Sequence, residues 1–232
     1  MKSIALESLG CRYGLERRQL AQLAAILCEL QGDERAPTTI RAPEQAADIH
    51  LADSLTALEL GLVCSGRAIA DLGSGAGFPG VALAVALPTA QVSLVESQRR
   101  KCEFLKRLCL AAEIQNVRVV CTRAEEWREG LGEQDVIVAR ALAPQPVVLE
   151  YAAPLLRVGG ALVDWRGRRG AREESAAACA AEQLGLRLAE IRHTEPYGGA
   201  RDHHLHVYEK TGETPARFPR RSGAARKRPL GC

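Results

Sequence analysis

Asp71-Leu72-Gly73-Ser74-Gly75-Ala76-Gly77-Phe78-Pro79-Gly80 decides the reading of this chain. The stretch follows an apolar run, Ala68–Leu72, and precedes a helical one, Val81–Leu87, so four glycines occupy the turn between a buried strand and a helix amino terminus. Glycines let a backbone turn tightly and approach a ligand, and the first turn of a helix leaves N–H groups unpaired. Gly75-Ala76-Gly77-Phe78-Pro79-Gly80 also fits the dinucleotide pattern G-x-G-x-x-G. In that register, however, the first glycine directly follows the strand, whereas here Gly73 already makes the turn. Asp71 then stands at the strand tip, where a carboxylate suits the amino group of a methionine moiety and repels a pyrophosphate. The register Asp71-x-Gly73-x-Gly75-x-Gly77 therefore favours S-adenosyl-L-methionine as cofactor.

Outward from this loop, short apolar runs alternate with helical segments. Ala68–Leu72, Val92–Glu96, Val117–Thr122, Asp135–Ala139 and Ala161–Trp165 read as strands. Val81–Leu87, Arg99–Ala112, Glu125–Gly130, Gln145–Arg157 and Arg172–Leu184 read as the helices between them. Two runs in succession, Leu186–Arg192 and His204–Glu209, then predict an antiparallel strand pair. The fold class is α/β: a doubly wound Rossmann-like sheet with an antiparallel C-terminal strand pair and N-terminal helices over Arg17–Leu30 and Glu44–Leu60. Residues 1–62 are expected to form a helical cap in the same domain, residues 63–212 the cofactor-binding core, and residues 213–232 a basic tail.

In such a sheet ligands sit at the carboxyl ends of the strands, at the point where strand order reverses. Glu96, at the tip of the second strand, can accept both ribose hydroxyls. Arg123-Ala124-Glu125 after the third strand and Arg140 at the end of the fourth face the same crevice, where they can hold the adenine and the far side of the pocket. Surface placement competes for Arg123, whereas a charge ending a buried strand calls for a partner.

Composition narrows the classes. The 232 residues are 47% hydrophobic and 25% charged, ordinary globular usage that excludes disorder and a disulfide miniprotein. The longest uncharged run, Leu72–Val95, contains Pro79, Pro88 and four glycines, so it does not read as a membrane span, and no signal peptide is visible. A cytoplasmic chain with reduced thiols is the expectation. The eight cysteines, Cys11, Cys28, Cys64, Cys102, Cys109, Cys121, Cys179 and Cys232, form no Cys-x-x-Cys pair and no zinc-finger spacing, so no metal is expected. Cys102 and Cys109 read as small buried hydrophobes on one helix face. Net charge is +3, but Arg217, Arg220, Arg221, Arg226, Lys227 and Arg228 follow the last acid, Glu213, and leave the rest of the chain at about −3. From Pro215 the tail is predicted to be extended, suited either to phosphate contacts or to solvation alone.

Together these residues resemble the RsmG (GidB) family of bacterial 16S ribosomal RNA methyltransferases, which make 7-methylguanosine. The resemblance runs from about Ile49 to Glu209 and is carried by His50-Leu51-Ala52-Asp53-Ser54-Leu55, by Asp71–Gly80 with its Phe78-Pro79-Gly80 ending, by Lys101-x-x-Phe104-Leu105, by Arg123-Ala124-Glu125 and by Arg140-Ala141. It implies cofactor contacts at Gly73, Phe78, Ala124, Glu125 and Arg140, beside Asp71, Gly75, Gly77 and Glu96 from the loop reading. Glu96 replaces the family's usual Asp, and Trp165-Arg166-Gly167 stands where the family often has Leu-Lys-Gly. His50, Asp53, Arg140 and Arg166 are the candidates for holding the guanine, with Asp53 the more structural of them. The implied partner is 16S ribosomal RNA or the small ribosomal subunit, met by a monomer without membrane attachment. A small-molecule methyltransferase, an inactive RNA-binding protein and, last, a nicotinamide enzyme are the alternatives.

Overall fold

A computed structural model describes residues 4–231; Cys232 and the first three residues of the expected cap lie outside the described residues. Among the described residues seven strands form one sheet in the order β3-β2-β1-β4-β5-β7-β6. They are β1 (Ala68–Leu72), β2 (Gln91–Val95), β3 (Val117–Val120), β4 (Gln134–Arg140), β5 (Leu156–Arg166), β6 (Leu186–His193) and β7 (His204–Lys210). β1 pairs in parallel with β2 on one side and β4 on the other, so the chain reverses direction across the sheet beside β1 and opens a crevice at the strand tips. β7 runs antiparallel between β5 and β6.

The two sheet faces carry separate cores because successive strand residues point to opposite sides. Ile69, Val92, Leu94, Val136, Val138, Val163 and Trp165 pack under α2 (Arg17–Gly32), α6 (Gly80–Ala86) and α7 (Arg99–Ala111). Ala70, Leu72, Val95, Ile137, Ala139, Leu162 and Tyr208 pack under α8 (Gln145–Ala152) and α9 (Ala171–Leu184).

Several elements differ from expectation for local reasons. A helix α1 (Ile4–Tyr13) precedes α2 and was not anticipated. The stretch read as one helix, Glu44–Leu60, is helical to Glu59 but irregular: α3 (Pro43–Ala46), a π turn at Ala47–Ala52, α4 (Asp53–Leu55) and a tight 3₁₀ turn at Thr56–Glu59, with Leu60 extended before α5 (Gly61–Ser65). The Ser54 hydroxyl donates to His50 O and Thr56 Oγ1 to Asp53 O, side-chain bonds that compete with the regular ladder and bend it. Glu125–Gly130 is two 3₁₀ turns, Ala124–Glu126 and Arg128–Gly130, with Trp127 buried between them. The helix expected to Arg157 ends at Ala152; Lys210 Nζ donates to Ala153 O at 2.6 Å, Pro154 has no N–H to continue the ladder, and β5 begins at Leu156.

Two corrections bear on the site. Cys102 is buried on α7 as expected, but it is joined to Cys121 by a disulfide with Cα atoms 5.9 Å apart, against the expectation of thiols there. The basic tail is not extended: Phe218 and Ala225 are buried against the α8 side of the sheet, and α10 (Ala224–Lys227) forms beyond Gly223.

Gly80 opens α6 where a Cβ would lie 2.4 Å from Leu94 Cδ2 and 2.7 Å from Asp71 Cβ. Gly80→Ala should therefore destabilise the protein by about 1–3 kcal/mol through overpacking, visible as a thermal midpoint lower by several degrees. An unchanged midpoint would show that the α6 entry has room to shift.

Candidate functional site

The glycine loop turns through the left-handed region at Gly73 (φ 71°), Gly75 (φ 57°) and Gly77 (φ 104°). Five of its amides donate within the protein. Gly73 N and Ser74 N donate to Val95 O, Gly75 N to Glu96 Oε2 at 3.1 Å, Gly77 N to Ser74 O, and Gly80 N to Asp71 Oδ2 at 3.0 Å. A pyrophosphate would need such donors free. Asp71 is buried under the loop, and its Oδ1 has no partner. Burial, only partly offset by the Gly80 amide, pushes its carboxyl up to about 7.

Beside the loop lies a cavity of about 400 Å³, a size that takes a nucleoside-scale ligand. Gly73, Glu96, Lys101, Thr122, Ala124, Glu125, Leu142, Tyr151 and Arg226 are among the residues on its wall. Of the residues expected to meet a cofactor, Gly73, Glu96, Ala124 and Glu125 thus border the cavity directly. Asp71, Gly75, Gly77, Phe78 and Arg140 are not on that wall, and their contacts brace it. The Glu96 carboxylate is held in place by Gly75 N and by Gln98 N at 2.8 Å.

Phe78 leads to a second cluster. Its ring stacks on His50, centroids 4.7 Å apart and planes nearly parallel, and the Arg140 guanidinium lies 5.9 Å from the same ring. Arg140 Nη1 donates to Asp53 Oδ2 at 2.7 Å and to Ile49 O at 2.9 Å, and Nη2 lies 3.4 Å from His50 Nδ1. Because a guanidinium only donates, His50 Nδ1 accepts, and the ring proton sits on Nε2 facing Thr38 Oγ1 at 3.1 Å. His50, Asp53 and Arg140 are therefore brought together as expected.

Two members of this cluster were not read from the sequence. His203 Nδ1 lies 3.0 Å from Asp53 Oδ1, and Trp165 Nε1 donates to Asp53 O at 3.0 Å. The only signal for His203 was the run His203-His204-Leu205-His206, dense in histidine for a chain with five.

Arg166 is not part of this group. Trp165 pairs with Arg140 in the sheet and points to the Asp53 side, so the next residue points to the opposite face. There Arg166 Nε donates to Asp164 Oδ2 at 2.7 Å and Nη2 to Ala143 O at 3.0 Å, beside Gln145 and His206. The expectation that Arg166 shares a guanine site with His50 and Arg140 is corrected by the period of the strand. Among the described residues no group of three or more His, Cys, Asp or Glu is placed to hold a metal, and no helix is long and apolar enough to cross a membrane.

The family described as GidB: rRNA small subunit methyltransferase G matches residues 16–198. Ribosomal RNA small subunit methyltransferase G of Syntrophomonas wolfei is 40% identical over 183 residues, 78% of this chain and 85% of that protein. The protein of the same name from Rubrobacter xylanophilus is 35% identical over 232 residues, 97% of this chain and 88% of its own length. Among solved structures, a SAM dependent methyltransferase from Aquifex aeolicus shares the fold, with a TM-score of 0.54 at 16% identity over 78% of this chain and 95% of that one.

The His50 surroundings predict a pH signature. Burial, reinforced by the Arg140 charge, lowers its pKa from 6.5 to about 4, so the folded state holds the ring neutral. The stability this contributes is present above pH 6.5 and is lost as pH falls toward 4. Thermal midpoints of the wild type and of His50→Gln should differ most near pH 7.5 and converge on acidification, Asp71 being common to both. A difference independent of pH would show that the ring titrates normally.

Proposed function

The chain belongs to the GidB family, rRNA small subunit methyltransferase G, and on that premise we propose that it transfers the methyl group of S-adenosyl-L-methionine to nitrogen 7 of a guanine in 16S ribosomal RNA. Its work lies with the small ribosomal subunit in the cytoplasm, as a single chain.

The observation that carries the cofactor side is the pairing of the loop amides. With Gly73, Gly75, Gly77 and Gly80 already donating within the protein, the loop offers few amides to a pyrophosphate, while the Glu96 carboxylate on the cavity wall favours a ligand with ribose hydroxyls. In this reading Asp71, buried behind the loop and off the cavity wall, acts through the Gly80 amide that it holds. Glu96 takes the ribose, Ala124 and Glu125 border the adenine, and Gly73 keeps the turn close. Its Cβ would fall 2.4 Å from Leu142 Cδ1, so no larger residue fits without displacing that wall. Gly75, Gly77 and Phe78 hold the loop in shape, and Arg140 acts by fixing Phe78, His50 and Asp53 around it.

When bound, the cofactor supplies a methyl group already activated by its sulfonium. Guanine nitrogen 7 has an in-plane lone pair and no proton to lose, so the protein's task is alignment and exclusion of water rather than deprotonation. The cluster suits that task. His50 is neutral and bonded at both ring nitrogens, Asp53 is taken up by Arg140 and His203, and neither stands free as a base.

Glu96→Gln should weaken S-adenosylmethionine binding about tenfold or more by replacing a charged acceptor with a neutral one, while NAD fails to bind either form, both read by calorimetric titration. Unchanged affinity in a folded Glu96→Gln protein would remove Glu96 from the site. Ribosomal RNA from cells with and without the gene should differ by one N7-methylated guanine in the small subunit; identical RNA would contradict the substrate.

A further inference from the structure

The six cations that follow Glu213 invite the view that this end of the chain serves only to meet phosphates, but the structure employs two of them otherwise. Arg220 grips Glu150 of α8 with two side-chain bonds, Nε to Oε1 at 2.8 Å and Nη2 to Oε2 at 2.5 Å, and adds its own backbone N at 3.3 Å. The Glu150 side chain is 1% exposed, so this is an anchor set into the protein rather than a surface pair. Arg220 Nη2 also donates to Arg228 O at 2.8 Å, which folds the segment back on itself. Phe218 and Ala225 enter the α8-side core on either side of the anchor.

What the anchor presents is a wall of the cavity. Beyond it the chain turns at Gly223, φ 78°, whose N–H donates to Glu125 Oε1 at 3.0 Å; Ser222 Oγ reaches the same oxygen at 3.5 Å. Glu125 is thereby oriented by the segment through one oxygen only. Arg226 then donates from Nη2 to Leu142 O at 3.0 Å and borders the cavity together with Glu125, Leu142 and Tyr151. Leu142 is the residue whose methyl lies against Gly73, also on the cavity wall.

We propose that residues 218–228 form a strap closing the outer wall of the cofactor pocket, in which Arg226 is a cofactor-binding residue and the Arg220–Glu150 pair is the buckle. The inference rests on the S-adenosylmethionine reading and extends it to a segment outside residues 16–198, the part matched by the family. A planar guanidinium and a fixed carboxylate on one wall suit the flat, amine-bearing adenine better than a sulfonium or an amino acid. Arg221, Lys227 and Arg228 remain exposed on the strap for other contacts, and Arg217, just before it, lies over the Phe218 ring.

The test is calorimetric titration of S-adenosylmethionine into the full-length wild type, Arg226→Ala and Arg220→Ala, with thermal melting of each. Arg226→Ala should weaken cofactor binding about tenfold at an unchanged melting temperature, and should raise KM for the cofactor but not for RNA. Arg220→Ala should weaken binding as well, although Arg220 does not border the cavity. Arg226→Ala with unaltered cofactor affinity and weakened RNA binding would overturn the strap and restore a phosphate-binding tail. If Arg220→Ala fails to fold, the Arg226→Ala result decides alone. Absence of cofactor binding by the wild type would overturn the methyltransferase reading and the strap's role with it.

Discussion

Asp53 ties the molecule together at the point where its parts have least reason to meet. One carboxylate oxygen takes Arg140 from the end of β4, the other faces His203 from the connection before β7, and the same residue's carbonyl takes Trp165 from β5. The irregular helical stretch that carries Asp53 is thereby fastened to three separate stretches of chain. Its side chain is 7% exposed and that of Arg140 17%, so the two charges are shielded from water and each depends on the other. Stranding the Arg140 cation by removing the carboxylate carries a cost of about 3–5 kcal/mol, comparable to much of a domain's net stability.

From this fastening the rest of the site follows. Arg140, held by Asp53, lies near Phe78, and Phe78 is stacked on His50, so the far end of the glycine loop is fixed from above. The near end is fixed by Glu96 on Gly75 N, and Asp71 on Gly80 N ties the two ends together. A loop clamped at both ends keeps its shape without a ligand, which lowers the ordering cost of binding one. The remaining wall comes from the opposite face of the sheet, through Leu142, Tyr151 and the returning C-terminal segment.

The fold was legible because its signals are local. A strand of apolar residues, a turn of glycines and a helix recur along the chain at the spacing of a doubly wound sheet, and β1 falls on Ala68–Leu72 as read. The pocket side of the site was legible for the same reason, since Glu96, Ala124 and Glu125 stand at strand tips. What the sequence hid is pairing over distance. His203 meets Asp53 across 150 positions and Arg220 meets Glu150 across 70, and no periodicity announces either contact. Arg166 is a different case: strand alternation from Trp165 already assigns it to the face away from Asp53, and the family resemblance drew it to the wrong side. The Cys102–Cys121 bond likewise depends on α7 and the end of β3 lying side by side, which composition does not reveal.

Specific transfer of a methyl group to guanine nitrogen 7 is the claim on which the account stands, and mass spectrometry tests it most directly. Purified protein is incubated with S-adenosylmethionine bearing an isotopically labelled methyl group and with small ribosomal subunits from cells lacking the gene, and the RNA is digested to nucleosides. The account predicts labelled 7-methylguanosine approaching one per subunit. Label on another nucleoside, or none in RNA while the protein binds the cofactor, would contradict it.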